Sequence, residues 1–134
     1  MLSLLDIDPA AAAPIWRQIE EGMRRLVASG ALPVGSSVPS VRELARELRI
    51  NPATVSKAYQ LLTADGALEV RRGEGTFVAA RPEGAVAAER DRLLAKSADR
   101  FVEAARAMGV SRSEARAALS AAWDRAGGEN GVKR

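Results

Sequence analysis

The fold is decided by the stretch SVRELARELRINPATVSKAYQLLTADG, residues 40–66. Ser40 and Glu43 form an S-x-x-E capping box, in which each side chain accepts a hydrogen bond from the other residue's backbone N–H. An apolar stripe at helical spacing follows, formed by Val41, Leu44, Ala45 and Leu48. Asn51 is a good N-cap and Pro52 a good first helical residue, so a second helix begins here. Two helices separated by about three or four residues predict a helix-turn-helix.

The second helix, residues 52–64, is predicted to have an apolar face toward the core and a polar face toward solvent. Its predicted inward positions are Val55, Ala58, Tyr59 and Leu62. A β-hairpin is predicted directly after it, from strand-like residues 68–71 and 76–79. Between the strands, Arg72-Gly73-Glu74-Gly75 supplies the glycines that a tight turn needs. A hairpin in this position is a wing.

Upstream, Pro14 is suited to the first turn of a helix, and Gly30 is suited to end it. Between them the apolar residues recur at helical spacing as Ile15, Ile19, Met23, Leu26 and Val27. Residues 1–81 are therefore predicted to form one winged helix-turn-helix domain of three helices and a hairpin.

Downstream, Arg81-Pro82-Glu83-Gly84 marks the predicted domain boundary. A long helix follows with a heptad-like seam of Leu94, Ala98, Phe101, Ala105 and Met108. Gly109 breaks it, and a second capping box, Ser111 with Glu114, starts another helix. Residues 82–126 are predicted to be a two-helix dimerisation hairpin and residues 127–134 a disordered tail. The predicted fold class is mainly α with a small β-hairpin.

Dimerisation is expected because a two-helix hairpin is too small to bury its own large apolar side chains. The residues expected at the interface are Leu94, Phe101, Met108, Leu119 and Trp123. The alternative is that they fold back onto the winged helix of the same chain.

Composition excludes several kinds of chemistry. The chain has 134 residues, a net charge of +3, no histidine and no cysteine. Disulfides, thiolate nucleophiles, imidazole bases and the usual zinc or haem ligands are therefore excluded. The pairs Glu20-Glu21 and Glu43/Glu47 are expected to be surface carboxylates, so we predict no metal, no cofactor and no enzymatic activity. No basic, apolar leader is recognisable, so a cytoplasmic location without membrane contact is expected.

The order of these elements predicts double-stranded DNA binding. Short polar side chains at the start of the second helix would let it approach the major groove. The candidate contacts are Arg42 and Arg46 from the preceding helix, Asn51, Thr54, Ser56 and Lys57 from the recognition helix, and Arg71, Arg72, Gly73 and Gly75 from the wing. Each also has a structural interpretation as a cap, a solvated surface charge or a turn glycine. A winged helix that binds a partner protein is the other class that fits.

The residues themselves resemble the GntR family of bacterial regulators. The motifs are Leu32-Pro33-x-Gly35, Val38-Pro39-Ser40-Val41-Arg42-Glu43-Leu44-Ala45, Asn51-Pro52-Ala53-Thr54-Val55-Ser56-Lys57-Ala58-Tyr59, Asp65-Gly66-x-Leu68 and Arg72-Gly73-Glu74-Gly75-Thr76-Phe77-Val78. The resemblance implies that Arg42, the polar positions of the recognition helix and Gly75 at the wing tip contact DNA. Trp16 stands where relatives commonly have Tyr, and Ser56 where many have Arg.

The short C-terminal part is similar to the YtrA-like branch of that family. This resemblance implies a homodimer that binds a palindromic operator and represses a transporter operon. A small-molecule effector, if there is one, is expected at the dimer interface near Phe101 or Trp123.

Overall fold

The computed structural model describes the backbone of residues 5–132 and the side-chain surroundings of residues 5–127. The chain divides into two compact units, the first ending at Asp91 and the second beginning at Arg92. The described residues contain five helices: α1 Ile15–Ala28, α2 Val41–Leu48, α3 Pro52–Ala64, α4 Ala85–Ala107 and α5 Arg112–Val132. Among these helices, none is both long and apolar enough to cross a membrane.

The caps predicted for α2 and α3 are present. The Ser40 hydroxyl accepts from the Glu43 backbone N–H at 3.1 Å, and the Glu43 carboxylate accepts from the Ser40 N–H at 2.8 Å. Asn51 caps α3 by accepting a hydrogen bond from the Ala53 N–H at 2.8 Å. These local bonds satisfy backbone donors that a helix start leaves unpaired. The predicted helix-turn-helix is confirmed.

A small antiparallel sheet completes the first unit. Its strands are β1 Ser37–Val38, β2 Leu68–Arg71 and β3 Gly75–Val78, in the order β1-β3-β2. The predicted hairpin is confirmed, with β3 beginning one residue earlier than expected. The sequence did not predict β1, because two residues are too few to show a period of two. Gly73 and Gly75 have φ values of +78° and +125°, which favour glycine at the wing turn.

The core lies between the three helices and the sheet. Its largest fully buried side chains are Ile19, Met23, Leu44, Val55, Leu62, Leu68 and Val78. The hydroxyl of buried Tyr59 donates a hydrogen bond to the Pro39 carbonyl oxygen at 2.7 Å. Burial raises the pKa of the Tyr59 hydroxyl, and the nearby charge of Glu43 raises it further. The hydroxyl therefore stays protonated and ties α3 to the segment before α2.

A buried charge, Arg24 of α1, joins three elements of the first unit. Its guanidinium contacts the carboxylates of Glu20, Asp65 and Glu89, and its side chain is 9% exposed. Arg81 binds the same Glu89 carboxylate at 2.6 Å. Burial lowers the pKa of Arg24, but the hydrogen bonds to the three carboxylates more than offset this and raise it. Asp65 ends α3 and Glu89 lies in α4, so Arg24 links α1 to both.

The first unit is longer than predicted. The predicted boundary follows Arg81, whereas the first compact unit ends at Asp91. The ion pairs of Glu89 with Arg24 and Arg81 explain the difference, since they attach the first turns of α4 to α1. Sequence spacing does not reveal an ion pair between residues 65 positions apart.

The second unit contains the rest of α4 and α5. Gly109, with φ of +74°, lies in the turn between them. The predicted second capping box is present: Glu114 accepts from the Ser111 N–H at 3.0 Å, and the Ser111 hydroxyl accepts from the Glu114 N–H at 3.1 Å. The predicted tail from residue 127 differs from the structure, because α5 continues through Val132. Gly127 keeps a negative φ and no proline follows it, so the helix has no local stop. Residues 133–134 lie outside the described part.

Candidate nucleic-acid interface

The start of α3 presents polar groups to solvent. Asn51 and Lys57 are exposed, while Thr54 and Ser56 are half-buried. The Asn51 side-chain oxygen is already used as the α3 cap. The Ser56 hydroxyl accepts a hydrogen bond from the Gln60 amide at 3.1 Å. The structure thus brings the four predicted positions of α3 together at its first turns, two of them with intramolecular bonds.

The two candidate arginines of α2 are exposed on one side of that helix. Arg42 and Arg46 are spaced i, i+4, so their side chains emerge from the same face. Among residues 5–127, neither guanidinium has a hydrogen bond or an ion pair with the protein. Two solvated cations without internal partners are suited to bind an external anion such as a phosphate.

The wing holds its two arginines differently. The Arg71 guanidinium binds the Glu69 carboxylate at 2.8 Å and lies 4.0 Å from the Phe77 ring centroid. Arg72 is exposed at the turn, next to Gly73. Arg72 is therefore the wing cation available to a ligand, whereas Arg71 is half-buried and held by its own hairpin. No atom lies within 4 Å of a Cβ built at Gly73, so its positive φ, not crowding, accounts for the glycine.

Trp16 at the start of α1 is a member of this surface that the sequence did not predict. The Lys57 ammonium lies 4.3 Å from the centroid of the Trp16 ring, and the Arg17 guanidinium carbon lies 5.4 Å from it. From the sequence alone, Trp16 is only a replacement for the Tyr that relatives commonly have. The adjacent Trp16 and Arg17 indicate a possible cation–π contact in the sequence. The contact of Trp16 with Lys57 becomes visible only when α1 is packed against α3.

The expected dimerisation residues are exposed in the single chain. Within the part of the chain that the structure describes, α4 and α5 do not pack along their lengths. The exposed fractions are 68% for Leu94, 37% for Phe101, 72% for Met108, 53% for Leu119 and 67% for Trp123. Among the residues predicted to form the heptad-like seam of α4, Ala105 is buried. The helices therefore carry an apolar surface that their own unit does not cover.

Two concave sites lie within the second unit. One, of about 540 Å³, adjoins the α4–α5 turn and includes Arg106 and Arg112 in its wall. The other, of about 350 Å³, is lined by Arg116, Leu119, Ser120 and Trp123. The smaller site includes Trp123, near which an effector is expected, and effector binding there stays a prediction.

Comparison with known proteins places this surface in context. Residues 16–78 match the family model described as bacterial regulatory proteins, gntR family. The HTH-type transcriptional repressor YtrA of Bacillus subtilis is 44% identical over 75 residues, which cover 56% of this chain and 58% of that protein. The aligned region therefore spans less than two thirds of that repressor's length.

Solved structures show the same relationship. YtrA from Sulfolobus acidocaldarius, a GntR-family transcription factor, is 33% identical with a TM-score of 0.56, covering 69% of this chain and 98% of that one. The DNA-binding domain of AraR, solved in complex with operator ORX1, is 27% identical with a TM-score of 0.50. That match covers 56% of this chain and 93% of the AraR chain.

Proposed function

This chain belongs to the GntR family of DNA-binding transcriptional regulators, and we propose that it is a homodimeric repressor that binds a palindromic operator. The observation that carries the proposal is the surface formed by the capped start of α3, the solvated Arg42 and Arg46 of α2, and the exposed Arg72 of the wing. Polar groups on a narrow helix flanked by cations are suited to a major groove bordered by phosphates.

In this proposal each element has a separate role. Thr54 and Ser56 face base edges, Arg42 and Arg46 bind flanking phosphates, and Arg72 with Gly73 and Gly75 follows the minor groove. Asn51 contributes through the backbone of the helix start that it caps, since its side-chain oxygen is engaged there. Arg71 supports the wing from within through Glu69 and Phe77. The similar AraR DNA-binding domain is bound to operator ORX1 in its solved structure, which supports DNA recognition by the winged helix of this chain.

The homodimer is supported by the uncovered apolar residues of α4 and α5. A second copy with the same surface would bury Leu94, Phe101 and Trp123 and would present two recognition helices to one DNA molecule. A two-fold dimer requires a palindromic site with half-sites about one helical turn or a multiple apart. Any effector would act at this interface, where the smaller concave site includes Trp123.

We further propose that the protein acts in the cytoplasm and represses a transporter operon. It is supported by the similarity to the Bacillus subtilis protein that is described as a repressor. The transporter target comes from the resemblance to the YtrA-like branch. Bound at an operator, a dimer of this kind would exclude polymerase.

Replacing Arg42 by alanine is expected to weaken operator binding by about tenfold to a hundredfold, the range for losing a hydrogen bond to a charged group. Fluorescence anisotropy against the DNA upstream of the protein's own gene and a scrambled duplex, over a range of salt concentrations, measures this. The slope of log affinity against log salt should fall by about 0.9 for each phosphate that the variant no longer neutralises.

Arg25→Ala is the matched control for this experiment. It removes the same charge from an exposed position in the last turn of α1, outside the set of candidate DNA contacts. It should leave specific binding within about twofold, since it alters only a screened long-range charge. Unchanged DNA binding after both Arg42→Ala and Thr54→Ala would refute this surface as the DNA contact, and the surface would then be available to dock a protein.

A further inference from the structure

The Trp16 ring lies against the cation of the recognition helix. Lys57 of α3 has its ammonium 4.3 Å from the Trp16 ring centroid. Arg17, the next residue along α1, has its guanidinium carbon 5.4 Å from the same centroid. Both distances fall within the roughly 6 Å at which a cation is attracted to an aromatic face. The Trp16 ring therefore lies close to two positive charges, one on α1 and one on α3.

Core packing does not account for Trp16. Its neighbour Ile15 packs against the buried core, whereas Trp16 belongs neither to that core nor to the apolar residues packed on it. The ring is half-buried. Its described contacts are with cations, so its place in the structure points to the charged surface of α3 and not to the interior.

Lys57 has the features of a side chain that needs such a support. Among the described residues it has no ion-pair partner, and its ammonium contacts the Trp16 ring instead. A lysine side chain is flexible and loses up to about 2 kcal/mol of rotamer entropy when it is fixed. A ring that already holds the ammonium near the DNA-facing surface reduces this loss at the moment of binding.

We propose that Trp16 is a positioning residue for DNA binding, whose ring holds the Lys57 ammonium toward a backbone phosphate at the start of α3. The inference rests on the proposed function. The partner is a phosphate because an ammonium is a compact point charge that binds phosphate without a directional fork.

A double-mutant cycle on Trp16 and Lys57 tests this. The four proteins are wild type, Trp16→Leu, Lys57→Ala and the double variant, and the probe is a duplex selected by the wild type from a randomised pool. Trp16→Leu is expected to weaken binding about twofold to fivefold per protomer, the range set by exposed cation–π pairs. In the Lys57→Ala background the same change should have almost no effect, because the group that Trp16 positions is gone.

Two further readouts separate positioning from folding. Trp16→Phe keeps a smaller ring and should recover part of the affinity, and the thermal midpoints of all variants report any decrease in stability. Lys57→Ala should lower the salt slope by about 0.9 per phosphate. A Trp16→Leu effect of equal size in both backgrounds would overturn the inference.

The outcomes also distinguish this inference from the proposed function. If Arg42→Ala weakens binding but Lys57→Ala does not, DNA recognition stands and the role of Trp16 falls. If the wild type selects no sequence from the pool, the proposed function itself fails, and the role of Trp16 fails with it.

Discussion

Replacing Phe101 by aspartate is expected to give a monomer that binds operator DNA at least a hundredfold more weakly. Phe101 is 37% exposed and lies on the same face of α4 as Leu94 and Met108. In a dimer this face would be buried, and a carboxylate placed there would lose its water without gaining a partner. Linking two half-sites through a dimer adds about 10²–10⁴ in avidity, which a monomer does not have.

Sedimentation equilibrium measures the mass, and anisotropy with a palindromic duplex measures the affinity. Arg100→Asp is the control, because it places a carboxylate one residue away on a different face of the same helix and, by also removing a guanidinium, changes the charge of α4 more than Phe101→Asp does. It should stay dimeric. A dimeric Phe101→Asp variant would refute this seam, and dissociation of both variants would indicate a general charge effect on α4.

Replacing Arg24 by methionine is expected to lower the free energy of unfolding by about 3–5 kcal/mol, the range for removing one partner of a buried ion pair. Methionine preserves much of the volume, so the effect is mainly electrostatic. Three carboxylates, those of Glu20, Asp65 and Glu89, would remain around the site without their common cation. Urea unfolding followed by circular dichroism measures the change.

Glu69→Gln is the control, because it breaks an ion pair with Arg71 whose two side chains are 40% and 44% exposed. Exposed pairs of this kind contribute about 0–1 kcal/mol. An Arg24→Met variant no less stable than Glu69→Gln would show that the buried cluster adds nothing to stability.

The ion pairs around Arg24 also make the free energy of unfolding depend on pH. Burial raises the pKa of Glu89, but hydrogen bonds from Arg81 and Arg24 more than offset this and hold it below its usual 4.5. A carboxyl with a lowered folded-state pKa stabilises the protein at pH above 4.5, and that contribution disappears as pH falls through the folded pKa. The free energy of unfolding should therefore drop below pH 4.5 in the wild type and less steeply in Glu89→Gln. Parallel pH profiles for the two proteins would contradict this.

The features predicted from sequence are those encoded by residues close together in the chain. Ser40 with Glu43 and Ser111 with Glu114 identify two helix starts because a capping box lies within four residues. The wing follows from turn glycines between two short strands. These local signals, in the right order, were enough for the winged helix-turn-helix.

What the sequence did not reveal depends on contacts between distant residues. The pairing of Trp16 with Lys57 and that of Arg24 with Glu89 both require α1 to be placed against other helices. No period or spacing encodes such a contact. β1 was missed for a related reason, since Ser37 pairs with Phe77 and has no strand pattern of its own.

The position of Glu89 also sets where this protein can be cut and joined to another. A chimeric regulator fused at the proline-containing junction, residue 82, would discard Glu89 and leave Arg24 and Arg81 without their shared carboxylate. A fusion made after Asp91 would retain both contacts. A designer who wishes to exchange the C-terminal module for another one should therefore splice inside α4 and match its helical phase, even though the loop before α4 is the more obvious junction.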